Sequence, residues 1–399
     1  MQISKDTIIS KSYILALIAF AMSACFVMRE QEADGASEVS KYVIALVSII
    51  WLAFPMLTLQ KGYIFEKPSF VITAFNIYLF WVVIISTIMP GHNDTTTSYI
   101  NSIIWVILPI LIFNTSYYYV LHKGTNGTLE SCFVYITGLF VITYFSFFDL
   151  DNILLNIHLG SSYYALYILP IALIKPSITT RLISIITVSL AIFSSVKRGG
   201  VMALALGLLA YIITQQIVSK RNKFSKVIIG IAILLIFACI FFYIGTLGDN
   251  NIFERFETIQ EDQGSGRTEV WEEAWRLIND QGFGNYLIGN GFNTVVENSF
   301  LLLSAHNDYL EAWFDFGLIG VLLYSIAILG YLRITFLCVL RKRKYAPEMV
   351  LLASTIIVLS LISHIAIYYW FNVILLDIAI LIGKSDKDDR EQKINISKI

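Results

Sequence analysis

Long apolar runs separated by short polar ones make up the chain from Ser12 to Gly383. A bilayer asks for about 20 predominantly apolar residues per helical span, and on that measure the chain reads as about twelve spans. They lie near 12–28, 40–59, 69–89, 100–120, 129–147, 162–174, 182–196, 200–218, 227–245 and 314–339. A last apolar block, 349–383, is long enough for two short spans turning near Tyr368–Asn372. The fold class is therefore all-α, a polytopic integral membrane protein with one large extramembrane loop. Its units are a bundle over 1–245, the loop over 246–313, spans over 314–383 and a polar tail over 384–399 that reads as disordered. The first run, 12–28, lacks a small-residue cleavage site and reads as a span rather than a signal peptide.

The pattern changes in the polar gap after Gly245. From Thr268 to Asp280, the residues Val270, Trp271, Ala274, Trp275, Leu277 and Ile278 recur at helical spacing on one face. Glu269, Glu272, Glu273, Arg276 and Asp280 take the other. Such a short amphipathic helix lies on the membrane surface or on top of the bundle. Arg267 precedes Trp271 by one turn, on the apolar side, so it points inward. An inward guanidinium wants an anion, and a structural salt bridge to a nearby carboxylate is the alternative. Gly282, Gly284, Gly289 and Gly291 follow as an irregular segment. Then Ser304-Ala305-His306-Asn307 opens a helix carrying Gly317 and Gly320, which can pack closely through its glycines.

Composition sharpens the picture. Of 399 residues, 57% are hydrophobic and 14% charged, whereas a soluble domain is about a quarter charged, so a soluble enzyme with an anchor is excluded. The four cysteines, Cys25, Cys132, Cys239 and Cys338, all lie inside apolar runs without short spacing and read as small buried hydrophobes. The net charge of −1 hides an asymmetry. Lys5, Lys11, Lys61, Lys67, Lys123, Lys175, Arg181, the cluster 220–226, Arg341 to Lys344 and the tail cations share one side if both termini are cytoplasmic. The opposite loops are acidic. Lys197-Arg198-Gly199-Gly200 breaks this rule, as do Arg255, Arg267 and Arg276 in the large loop.

The exceptions carry the candidate chemistry. Lys197 and Arg198 sit in a tight turn at the outer surface, where they either snorkel to lipid phosphates or bind a substrate anion. His306 is a neutral imidazole at pH 7 and can act as a general base toward a hydroxyl. The alternative is a polar helix cap, with Ser304 and Asn307 in similar roles. His92, His122, His158 and His364 have no comparable setting. Asp149-Leu150-Asp151 spells a short carboxylate pair that reads as solvated charge. No HExxH, phosphate-binding glycine loop or serine-centred elbow is present, so no metal, no cofactor and no nucleic-acid partner is expected.

His306-Asn307, nine residues, then Gly317-Leu318-Ile319-Gly320 resembles the His-Asn-x9-Gly-x-x-Gly pattern of the O-antigen ligase and polymerase superfamily. The Lys197-Arg198-Gly199 turn resembles that family's outer-surface arginine turn. Gly266-Arg267 with Trp271 resembles the arginine that opens its large periplasmic loop. The resemblance runs over roughly residues 185–340. It implies a GT-C-like, metal-independent glycosyltransferase of the bacterial inner membrane, with its active site facing the periplasm. Donor and acceptor would be oligosaccharides linked to undecaprenyl pyrophosphate, and a chain-length regulator is implied as a further partner. Carried onto this chain, His306 would be the base or position the acceptor, and Arg198 and Arg267 would bind the pyrophosphate. Lys197, Asn307, Arg276 and Trp271 would complete the substrate site. Lys197 departs from the family turn, which leaves its role open. The contexts around Lys197 and His306 favour a polymerase. A ligase acting on the lipid A core and a flippase of the lipid-linked unit are the alternatives.

Overall fold

In a computed structural model of the chain, residues 5–32, 38–59, 67–89, 96–148, 160–195, 197–218, 266–366 and 369–396 are described. Among them every regular element is a helix. In chain order these are α1 (Lys5–Glu32), α2 (Glu38–Leu59), α3 (Phe70–Ile88), α4 (Thr96–Lys123), α5 (Gly127–Phe145), α6 (Ser162–Ala172), α7 (Ile178–Ser194) and α8 (Arg198–Val218). Then come α9 (Arg267–Asp280), α10 (Phe283–Ile288), α11 (Thr294–Asn298), α12 (Asp308–Leu340), α13 (Ala346–Ile362) and α14 (Phe371–Ile396).

Five described stretches are long and apolar enough to cross a bilayer: Asp6–Arg29, Phe70–Ile88, Gly127–Phe145, Arg198–Val218 and Asp308–Leu340. Their outward side chains are apolar as well. Leu15, Met22, Ile142 and Leu329 are 65%, 64%, 69% and 63% exposed. A helix facing water would place polar residues there, so helices apolar all round require lipid. The chain is a multi-pass membrane protein. Inside the bundle α14 packs on α4, α13 on α8 and α12 on α3. Phe371 to Ile382 are buried on every side of α14.

The apolar runs expected from the sequence coincide with α1 to α8 within a few residues. The ninth run, 227–245, lies outside the described residues, as do Arg255, Asp149, Asp151, His92, His158, Cys239 and the cluster 220–226. Cys25, Cys132 and Cys338 are free thiols. The last apolar block divides into α13, which ends at Ile362, and α14, which begins at Phe371. The tail differs from expectation, because α14 stays helical to Ile396. Side-chain partners hold it. Tyr117 donates to Asp386 (2.8 Å), Lys384 donates to Thr125 (2.6 Å), and Arg341 and Arg343 pair with Asp389.

Lys123, Arg181, Lys344, Lys384 and Lys387 gather, with Glu130, Glu348, Asp388 and Glu391 among them, around one cavity of about 260 Å³. It lies at the end of α12 remote from His306. The turn before α8, the start of α9 and the loops before α12 and α14 meet at the opposite end.

α12 is broken at Gly317, whose backbone (φ 71°, ψ 178°) is not helical. Left-handed φ favours glycine. A Cβ at Gly317 would overlap the carbonyl of Leu287, and one at Gly289 would overlap that of Asp315. The break frees carbonyls that need donors inside a membrane. Asn290 N–H and Gly291 N–H donate to Asp315 O at 3.1 and 2.9 Å, and Trp81 Nε1 donates to Phe316 O at 2.9 Å. The glycines thus lock the outer loop onto α12. The Gly317→Ala variant should lose on the order of 2–4 kcal/mol, from the strained φ and the overlap together. Thermal melting in detergent should show this loss, and an unchanged midpoint would mean the contact is dispensable.

Candidate functional site

The site is built where α12 starts. Asn307 is the helix cap, and its side-chain oxygen accepts from Tyr309 N (3.0 Å) and Leu310 N (3.2 Å). Its amide nitrogen donates to Leu361 O at the end of α13 (3.2 Å). Glu311 folds back to accept from Ala305 N at 2.7 Å. Between these anchors His306 adopts φ 49°, a left-handed conformation uncommon for a side chain other than glycine. The chain reverses there, and the imidazole leaves the helix axis.

A second loop is tied to the same helix turn. Asp308 is fully buried, and its carboxylate accepts from Ile365 N (2.6 Å), Ala366 N (3.1 Å) and the Tyr324 hydroxyl (2.9 Å). The loop between α13 and α14 is thereby held against α12. That places His364 face to face with His306, ring centroids 4.6 Å apart and planes 30° from parallel. His364 stacks in turn on Trp370 at 5.7 Å, and its Nδ1 is hydrogen-bonded to the Ser304 hydroxyl at 2.9 Å. Trp370 Nε1 donates to the His364 carbonyl (3.2 Å).

α9 caps this assembly. Val270, Ala274 and Ile278 are buried, and the latter two pack with Val295, Ala305 and Phe314. The inward face is narrower than the sequence pattern implies, since Trp275 remains 48% exposed. Arg267, the first residue of α9, turns its charge toward the histidines, as does Lys197. Burial first, then Arg267 and Lys197, push the pKa of His306 down to about 4. Burial, then His306, Lys197 and Arg267, hold His364 well below the usual imidazole range. Both rings are therefore neutral at pH 7.

The residues singled out from the sequence fare differently. His306, Arg267 and Lys197 converge. Lys197, whose role was open, lies with its ammonium 5.2 Å from the Tyr163 ring centroid and within electrostatic reach of both histidines. Arg198 is 5% exposed, as the first residue of α8. Trp271 follows Arg267 by one turn on the same face, and its buried indole N–H has no partner among the described residues. Asn307 is committed to capping, the alternative weighed for it.

Arg276 does not join the site. It follows Arg267 by about two and a half turns, which puts it on the opposite face of α9. Its guanidinium bonds Glu273 (2.8 Å) and Asp280 (3.0 Å), and it lies over the Phe300 ring at 5.1 Å. The periodicity already placed it with the acidic residues. His364 was passed over because it ends an apolar run with no motif around it. Span parity could have found it, since His364, just past the end of α13, falls on the same side as His306.

A multi-pass helical bundle with a histidine pair and cations at one end is the class that fold and site define. Residues 183–325 match the family described as O-antigen ligase. The match covers Lys197, Arg267 and His306 and stops before His364. No curated protein matches the chain.

The depressed His306 pKa makes a prediction with a definite sign. The unfolded chain takes up the proton near the ordinary value of about 6.5, before the folded one does. The stability contributed by neutral His306 is therefore complete above about pH 6.5 and is lost as pH falls toward 4, by up to on the order of 3 kcal/mol. The Arg267→Gln variant should raise this pKa measurably in imidazole NMR titrations. An unchanged value would separate Arg267 from the histidines.

Proposed function

We propose that the chain is an O-antigen polymerase of the bacterial inner membrane. It transfers a glycan from undecaprenyl pyrophosphate to a sugar hydroxyl of another lipid-linked repeat unit. The observation that carries this reading is the convergence of His306, Arg267 and Lys197 at the end of the bundle remote from the basic cluster. Cations near membrane helices favour the cytoplasm, which supports both termini inside, about twelve spans and a site facing the periplasm.

The chemistry follows from the charges. The acceptor oxygen forms a bond to the anomeric carbon as the bond from that carbon to the pyrophosphate oxygen breaks. The electron pair leaves with the pyrophosphate lipid, and the hydroxyl proton passes to His306. Each cation about 4 Å from the leaving group contributes on the order of 4 kcal/mol at an intermediate dielectric. Negative charge on the leaving group grows during the reaction, so the cations favour the transition state over the bound donor. In this reading Arg267 and Lys197 supply the positive charge and no metal ion is used.

Burial, and after it the same cations, make free His306 a weak base. A bound pyrophosphate offsets them and returns the imidazole toward its ordinary range, so its basicity rises once the donor is in place. His364, itself bonded to Ser304, stacks on the ring and holds it in position while it carries the proton. The family description favours a ligase as the second reading, with the same chemistry and the lipid A core as acceptor.

The His306→Ala variant should abolish surface polymer at normal protein level, and a normal glycan ladder at that level would end the catalytic reading. Arg267→Lys should be nearly as harmful as Arg267→Ala, because a point charge lacks the planar fork; full rescue by lysine would indicate charge balance alone. A deletion strain separates the readings. Loss of a polymerase leaves single repeats on the core, whereas loss of a ligase leaves a bare core with polymer on its carrier. Single units stranded inside the cell would point to a flippase.

A further inference from the structure

We infer that Phe300–Leu303 is a wedge that inserts into the hydrocarbon of the bilayer leaflet beside the histidine pair. These four consecutive apolar residues are 83%, 43%, 69% and 47% exposed. The residues on either side are not: Ser299 and Ser304 are each 4% exposed and Ala305 is 0% exposed. The segment is thus held at both ends and pushed outward between them. Contiguous exposed apolar surface marks a place where water is replaced.

Three backbone N–H groups of the segment have partners inside the protein. Phe300 N donates to Glu273 Oε1 (3.2 Å), Leu301 N to Ser299 Oγ (3.2 Å) and Leu302 N to Ser299 O (3.0 Å). Amides already bonded within the protein lower the cost of holding a loop at the membrane surface while its side chains enter the hydrocarbon. Leu302 takes φ 52°, so the fold accepts a left-handed leucine to keep this shape. Arg276, stacked over Phe300 while bound to Glu273 and Asp280, braces the base of the wedge from its polar side.

Continuity with the lipid-facing surface selects the occupant. Asn307, four residues past Leu303, bonds Leu361 O at the end of α13. Leu361 and Ile357 of that helix are 47% and 43% exposed, and Leu322 of α12 is 53% exposed. The wedge therefore extends the apolar belt of α12 and α13 at its outer rim. It fixes His306, three residues on, at the depth of lipid headgroups. This inference stands independently of the transferase reading.

The test uses the full chain in phospholipid nanodiscs, with an environment-sensitive fluorophore on Leu302→Cys and, separately, on Leu301→Cys. Glu272→Cys, on the polar face of α9, is the water-facing reference, and the unsubstituted protein is the labelling blank. Variants are compared as monodisperse species, and either wedge position suffices if the other does not fold. Quenching at the wedge by doxyl lipids should exceed that at residue 272 severalfold, with iodide quenching reduced to the same degree. Iodide quenching equal to that at residue 272 would overturn the inference. Protection from both quenchers would also overturn it, by showing that protein covers the wedge.

Discussion

The carboxylate of Asp308 joins two distant parts of the chain, and the site depends on it. Its two oxygens take the N–H groups of Ile365 and Ala366 and the hydroxyl of Tyr324. Buried in a membrane bundle, these donors have no water to turn to, so a partner inside the protein is required. The result is a fixed distance between the start of α12 and the residues just past the end of α13. The stacked imidazoles of His306 and His364 follow from that distance. Around the same turn, Asn307 and Glu311 satisfy the orphan groups that a helix start leaves open.

The electrostatics set the state of the pair. Two imidazoles packed together, out of water and beside a guanidinium and an ammonium, do not both hold protons. Burial first, and then the neighbouring charged groups, keep them neutral. Positive charge and imidazole basicity are therefore coupled within one cluster of side chains. The Gly289–Gly317 contact serves the same end mechanically, because it fastens the outer loop to the broken helix and so presents Arg267 to the rings.

The spans were readable in the sequence because lipid demands unbroken apolar length, a signal that needs no tertiary information. Arg267 was readable for a related reason: its position on the apolar face of α9 fixed its direction. What was not readable depended on contacts between remote segments. His364 lies 58 positions after His306, and only the Asp308 clamp brings them together. Lys197 lies within electrostatic reach of the rings from just before α8, whose first residue, Arg198, is buried. The helical tail follows from partners on α4 and the 341–343 turn, which no local pattern announces. Helix-face arithmetic already separated Arg276 from Arg267, and the family pattern obscured it.

The coupling of an anion to the imidazole pair is the most direct point of attack. Inorganic pyrophosphate, added to the full chain in nanodiscs with labelled histidine, should bind and raise the pKa of His306 from about 4 toward the ordinary range. The Arg267→Gln and Lys197→Gln variants should each weaken that response. A His306 titration indifferent to pyrophosphate, with wild-type protein folded and the anion bound elsewhere or not at all, would contradict the account.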